Sequence, residues 1–301
     1  MAILKNVTVS STGADTLPKG TTAERPGTPL TGMLRYNTSF NEIEFYNGTS
    51  WINPQTGALA GLGSTAATAA ESARQIMEAY PAAADGVYWI NLPTVGATQI
   101  YCLLDKRYDG GGWMMALKAT RGTTFVYSSS YWTTTNVLNE ATQLNRNDAD
   151  AKFHTFNYFQ SKDLLAVWPD IGEGGSIRGL SNWIWLENNF YGDRIALPTF
   201  FSSNTRWFIG DAKLSDKWQS GVFSSQTDIR FYGFNWNDNL PSRWGFGWNE
   251  NGGGLFPNGN EGSDDVMGGI GHSGASAGDQ INCCADTTGI NRTARVEVYV
   301  R

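Results

Sequence analysis

Eleven of the twelve tryptophans fall between Trp89 and Trp248, and that clustering fixes where a core can form. Indole rings carry a large buried area each, so the stretch that holds them is the globule and the stretch before it is an attachment. The chain has 301 residues, 41% of them hydrophobic, which is enough for one large domain with smaller segments joined to it. Only 17% are charged, while glycine occurs 35 times; this disfavours a helical bundle or coiled coil and favours a loop-rich protein held by aromatic packing, and with the strand and helix patterns that follow an α+β chain is expected. The formal charge of −6 argues against a basic surface that tracks phosphates, so no nucleic-acid partner is expected. No run approaches the roughly 18–20 consecutive apolar residues of a membrane span, and the start at Met1–Lys5 lacks the apolar stretch of a secretory signal. Membrane insertion is not expected, and either the sequence is that of a mature chain or the chain never uses that export route. Three cysteines, Cys102, Cys283 and Cys284, cannot all pair within one chain, which fits a reducing compartment.

The first thirty residues mix Ser, Thr, Gly and Pro, with turn chemistry at 17–20 and 25–28, and read as an extended arm. Strands are expected at Met33–Asn37, Glu42–Tyr46 and Thr49–Ile52. Ile43 and Phe45 alternate with Glu42 and Glu44, and Asn47-Gly48 is a hairpin signal because both residue types tolerate positive φ. A three-strand meander of about twenty residues buries too little to be stable alone. Tyr36, Phe45, Tyr46 and Trp51 therefore need another surface, and sister chains packed around an axis, a homotrimer, would supply it. Residues 57–63 are linker-like. A helix is expected over Thr65–Tyr80, with capping-box spacing from Thr68 to Glu71, an apolar stripe of Ala73, Ile76, Met77 and Tyr80, and a stop at Pro81. The expected organisation is an arm with a β-hairpin module at 1–56, a linker and short helix at 57–82, and a head domain at 83–301.

The head opens with strand patterns at Gly86–Ile90, Gln99–Leu104 and Gly112–Leu117. At its end Val296, Val298 and Val300 alternate with Arg295, Glu297 and Tyr299, so the last strand is expected to close the sheet that the first ones open. Residues 245–278 hold 12 glycines in 34 positions and read as a long loop.

Three stretches of the head carry a resemblance: Asp85-Gly-Val-Tyr-Trp-Ile90, Ile100-Tyr-Cys-Leu103 and Asp109-Gly-Gly-Gly-Trp-Met114. In order and spacing they resemble the opening of fibrinogen-like C-terminal domains. Phe156–Leu164, Gly252-Gly-Gly-Leu-Phe-Pro257 and the closing 294–301 resemble intelectins, the glycan-binding branch of that superfamily. The resemblance spans roughly residues 70–301 and implies an antiparallel sheet with long ordered loops. Fibrinogen-like domains usually pair the cysteine equivalent to Cys102 with one in the preceding helix; here that helix offers Ala73, so the bridge is absent. In the arm, Gly32-Met-Leu-Arg-Tyr-Asn37 through Glu44-Phe-Tyr-Asn-Gly-Thr-Ser-Trp51 resembles a module recurrent in tailed-phage structural proteins. That implies a virion protein assembled in the cytoplasm of a host bacterium, attached to other virion proteins through the arm.

In intelectins the glycine-rich loop helps form a calcium-dependent glycan site, with an acidic ligand after the proline. Asn258 stands at that position and supplies an oxygen without charge. Asn260, Glu261, Asp264, Asp265 and, further on, Asp279 complete a candidate Ca²⁺ set, since calcium takes about six to eight hard oxygen ligands in tolerant geometry; the same acids could equally be solvated loop residues. Trp236, Trp244 and Trp248, with Asn249, Glu250 and His272, are the candidate glycan contacts, because aromatic faces beside polar groups suit sugar rings, although each indole could equally be core. Two histidines, His154 and His272, and no HExxH, GxSxG, P-loop or CxxC spacing give no catalytic constellation, so no enzyme is expected. The expected function is a phage fibre of the tail, neck or capsid whose head binds host surface glycan. A purely architectural decoration protein is the alternative, and a polysaccharide depolymerase a more distant one.

Overall fold

The computed structural model describes residues 13, 14, 16–169, 183–187, 195–202, 207–209, 229–237, 241–248, 266–281 and 291–301. These form three sheets with few and short helices, so the chain is α+β in the broad sense and dominated by strands.

The first sheet has the order β1 (Lys19–Gly20), β2 (Leu34–Asn37), β3 (Glu42–Tyr46) and β4 (Trp51–Ile52). It is the expected meander with one added strand, because β1 pairs with β2 in parallel. Four residues, 47–50, connect β3 to β4. Asn47 Oδ1 accepts from the Thr49 and Ser50 amides (2.9 and 2.8 Å), and of the Asn-Gly pair Gly48 alone takes a positive φ (102°). The side-chain amide thus does the work expected of a second left-handed residue.

The expected helix over Thr65–Tyr80 divides. A 3-10 turn covers Ala66–Thr68, and α1 spans Ala73–Ala79 behind an N-cap at Ser72, whose Oγ accepts from the Gln75 amide. Between them the backbone of Ala70 is drawn to the head sheet, where its amide donates to Trp89 O (2.9 Å) and its carbonyl accepts from Asn91 N (2.7 Å). Two strand-type bonds there outcompete alanine's helix propensity. Residues 57–63 also differ from the tether expected. Ala60 and Leu62 are buried, Asn53 N bonds Ala58 O, and Trp89 N bonds Gly63 O, so the segment is packed against its neighbours on both sides.

The head begins with β5 (Gly86–Leu92), β6 (Gly96–Leu103), β7 (Trp113–Ala119), β8 (Ala151–Lys152), β9 (Leu164–Trp168) and β10 (Trp183–Glu187); with β17 (Val296–Val300) they form one sheet of order β10-β9-β17-β7-β6-β5, β8 pairing with β7. The final strand lies between β7 and β9, joining the sheet that the first strands open. Both faces of this sheet are covered. Met114, Ala116, Leu164, Ala166, Val296, Val298 and Val300 enter one core cluster, whereas Trp113, Met115, Leu165, Val167 and Tyr299 enter another. Double burial explains why β7 and β9 read as continuous apolar runs without alternation.

A third sheet runs β11 (Trp207–Ile209), β12 (Ile229–Trp236), β13 (Ser242–Trp248), β14 (Val266–His272), β15 (Ala277–Ile281) and β16 (Asn291–Thr293). It delivers Phe234, Trp244, Ile270 and Ala277 to the first cluster, beside Phe156 of α2 (His154–Tyr158) and Phe200 of α3 (Leu197–Ser202). The glycine-rich stretch expected as a loop at 245–278 is therefore partly strand. At Gly245 a Cβ would meet the Gly268 carbonyl, and at Gly269 (φ 140°) the Trp244 carbonyl, so bare backbone is what lets β13 and β14 approach. The triple glycine at 110–112 takes positive φ throughout (86°, 76° and 80°) and places Trp113 in the core, its indole N–H donating to Tyr108 O (2.7 Å).

Two lysines in this region are buried, Lys118 and Lys152. Lys118 Nζ is held by oxygens of Gln143, Asn145 and Asn147. Lys152 Nζ donates to Thr134 O (2.6 Å) and lies 4.7 Å from the Phe156 ring centre. Burial lowers their pKa values to about 8 and about 7. Between those values and the usual lysine range the unfolded chain binds more protons than the folded one, so stability should rise as pH increases from 7 towards 10. Thermal melts should show this rise, and Lys152→Met, which removes a buried ammonium without a carboxylate partner among the described residues, should raise the midpoint at pH 6 by roughly 2–4 °C and flatten the slope.

Candidate interaction surface

The N-terminal sheet is turned polar side in. Register places Leu34 opposite Phe45, Tyr36 opposite Ile43, and Phe45 opposite Ile52, so these five side chains share one face. Arg35 opposite Glu44, Asn37 opposite Glu42, and Tyr46 opposite Trp51 share the other. Glu44 is 0% exposed, whereas Leu34 is 41% and Ile43 40% exposed. Alternation alone would put the isoleucine inside.

The inversion has a visible cause. The residues after β1 fold back over the polar face and bring Arg25 to Glu44, with Nε and Nη2 both donating to the carboxylate (3.2 and 2.5 Å). Arg35 Nε lies 3.6 Å from the same carboxylate on its other side, and Asn37 Nδ2 adds a hydrogen bond (2.9 Å). The Arg25 guanidinium also lies over the Phe40 and Trp51 rings at 5.9 and 5.8 Å. Gly20 permits the fold-back, since a Cβ there would lie 2.6 Å from Arg35 Nη2. Glu42 then ties the sheet to the segment between β4 and β5, accepting from Asn53 Nδ2 (2.9 Å), from the Gly61 amide and from the Tyr80 hydroxyl (3.0 Å). Burial, with Glu42 adding to it, pushes the Tyr80 phenol up to about 12.

Of the oligomerisation candidates, Tyr36 and Phe45 lie on the exposed apolar face. Tyr46 and Trp51 do not. Their rings pack against each other (5.4 Å) on the polar side, with Trp51 buried and Tyr46 half-buried, so neither lies on the exposed apolar face.

The glycan candidates divide likewise. Trp236 and Trp244 are 3% and 1% exposed. Phe234 pairs with Trp244 and Trp236 with Ser242, which turns all three rings to the same side, and Trp244 stacks on Phe234 at 5.5 Å. Inward rings of a covered sheet leave no face for a sugar, so the sugar-platform reading of these two gives way to the core reading. His272 is buried as well. Its Nδ1 accepts from the Gly274 amide (3.1 Å), and burial lowers its pKa to about 4, so it is neutral at physiological pH. Trp248 ends β13, while Asn249 and Glu250 lie outside the described residues, as do the metal candidates Asn258, Asn260, Glu261, Asp264 and Asp265 and the thiols Cys283 and Cys284. Asp279 sits in β15 opposite Gly268 and Arg292. Among the described residues no group of three or more His, Cys, Asp or Glu side chains could hold a metal ion, and no helix is long and apolar enough to cross a membrane. The thiol of Cys102 is free and buried, with its pKa raised by that burial.

Arg25, Arg35 and Glu44 were not singled out by the sequence. The hairpin register would have found Arg35 opposite Glu44; nothing in the pattern points to Arg25. The chain matches no family model, and a search of curated proteins finds no match.

Removing the carboxylate would leave the buried Arg35 guanidinium, and the partly exposed Arg25 beside it, without their shared partner. Glu44→Ala should cost about 3–5 kcal/mol locally, seen as lost hydrogen-exchange protection across 34–46 while the strands of the head stay protected.

Proposed function

We propose that this chain is a phage virion fibre or decoration protein, anchored and trimerised through its N-terminal sheet and displaying a fibrinogen-like, intelectin-like head that binds host surface glycan. The observation that carries the reading is the inverted sheet. Leu34, Tyr36, Ile43, Phe45 and Ile52 make a contiguous apolar face, and Leu30, at 65% exposure, adds to the apolar surface of the arm. Apolar patches of this kind mark places where other chains pack. The virion setting rests on the resemblance of residues 32–51 to the tailed-phage module, and the glycan reading on the resemblance of the head. Calcium belongs to the same proposal, held by residues among 258–265 together with Asp279. Several heads on one stalk would turn weak single-site contacts into firm adhesion.

The architectural reading, a decoration protein without a receptor of its own, is favoured by one finding: burial removes Trp236, Trp244 and His272 from the surface available to a sugar. A glycan array probed with and without chelator separates the two, since receptor binding gives signal that chelation abolishes.

Light scattering of the full chain should report a trimer, and the double variant Leu34→Asp with Ile43→Asp should report a monomer with the head's thermal transition intact. A stable monomer of the unaltered chain would remove the oligomerisation proposal.

A further inference from the structure

A groove of about 400 Å³ opens in the N-terminal sheet where the segment around β1 meets the start of β2. Pro18, Pro26, Met33, Leu34 and Trp51 form its apolar walls, and Arg35 lines it beside them. Arg35 is more than nine-tenths buried, yet its Nη1 has no hydrogen-bond partner among the described residues. The rest of that guanidinium is engaged, Nη2 with Thr21 O (3.2 Å) and Nε near Glu44. A buried N–H donor left unsatisfied is costly, more so on a cation, so an acceptor that reached this one would be favoured.

The charges around the groove point to what that acceptor is. Lys19, Arg25 and Arg35 face Glu24 and Glu44. Glu24 already accepts from the Thr21 amide and hydroxyl (2.7 and 3.0 Å), and Glu44 is shared by the two arginines. Lys19 makes no ion pair among the described residues. One positive charge is thus uncompensated at the rim of an apolar slot, which complements an occupant carrying one carboxylate next to an apolar group.

We propose that this groove binds a peptide segment of a partner protein, one that sets an aromatic or large aliphatic side chain beside an aspartate or glutamate. The apolar side chain fills the slot between Met33 and Trp51, and the carboxylate sits beside Lys19 and reaches the covered Arg35 Nη1 donor once the groove walls shift to admit it. This deepens the attachment reading above and rests on it, by stating what the arm recognises. It borders the apolar face assigned to self-association, the two sharing Leu34, while Tyr36, Ile43 and Phe45 lie outside the groove.

The test is a titration of the full-length chain, labelled at its methionine methyls, with the Met33 signal assigned through Met33→Leu. The probes are the capped dipeptides acetyl-Phe-Asp-amide, acetyl-Phe-Asn-amide and acetyl-Ala-Asp-amide. Saturable movement of the Met33 methyl is expected with the first, and binding about tenfold weaker with each of the others. Arg35→Gln should erase the preference for Asp over Asn. Because Arg35 also supports Glu44, Lys19→Gln serves as a second variant that leaves the ion pairs in place; it should cut the preference about two- to threefold. Equal binding of the Asp and Asn peptides would overturn the proposal, as would absence of any saturable shift by about 10 mM. Displacement of chain–chain association by the first peptide would also overturn it, because the groove would then belong to a second copy. Attachment itself is scored separately, by whether a chain lacking residues 1–56 still enters particles, so the groove can fail while the attachment reading stands.

Discussion

A carboxylate with no exposed surface needs cationic partners, and in the N-terminal sheet that requirement settles which way the sheet faces. Glu44 lies between Arg25 and Arg35, with Asn37 filling a further acceptor position. Isolating such a group from water is expensive, and the geometry has to be good for the attraction to offset it. Once the arm supplies Arg25 from outside the meander, the polar side becomes the inside. The apolar side is then left outward, with Leu34 and Ile43 exposed, which is the face the oligomerisation proposal uses. A module too small to build its own hydrophobic core is held instead by an ion-pair cluster and by Glu42, which reaches Asn53, Gly61 and Tyr80.

The head obeys a different logic. Its central strand β17 has β7 on one side and β9 on the other, and all five of its residues are buried. One face takes the tryptophans and phenylalanines delivered by α2, α3 and the glycine-rich third sheet, while the opposite face is closed around Trp113 and Tyr299. Several charged residues enter this interior with partners. Glu297 is bonded by Arg146 and by the Tyr299 hydroxyl, and Arg301 joins Asp109 and Asp163 while stacking 4.0 Å from the Trp113 ring. Without a bridge at Cys102, packing and these ion pairs hold the described part of the head together.

Much of this was legible in the sequence where a pattern had one physical reading. Triple glycine before Trp113, the strands around Trp89 and Tyr101, the alternating C-terminus and the core position of Trp113 all follow from steric freedom, period or size. The failures share a cause as well. Thr65 to Tyr80 reads as helix by propensity, but tertiary bonds to Trp89 and Asn91 take Ala70 into a β-bridge with the head sheet. Glu44 and Ile43 alternate as expected, yet alternation states only that two faces differ; which one is buried depends on Arg25, nineteen residues before Glu44 along the chain. Trp236 and Trp244 carried both a sugar-facing and a core reading, and strand direction, set by pairing with Phe234 and Ser242, decides it.

Orientation of the N-terminal sheet is the central claim, and hydroxyl-radical footprinting of the full chain across a range of concentrations tests it most directly. Labelling of Leu34 and Ile43 should be strong in dilute solution and fall as chains associate, together with that of the half-buried Tyr36 and Phe45, while the buried Trp51 stays at constant low labelling and Tyr46 does not change with concentration. Protection that develops at Tyr46 and Trp51 instead, with Leu34 and Ile43 labelled equally at every concentration, would contradict the account.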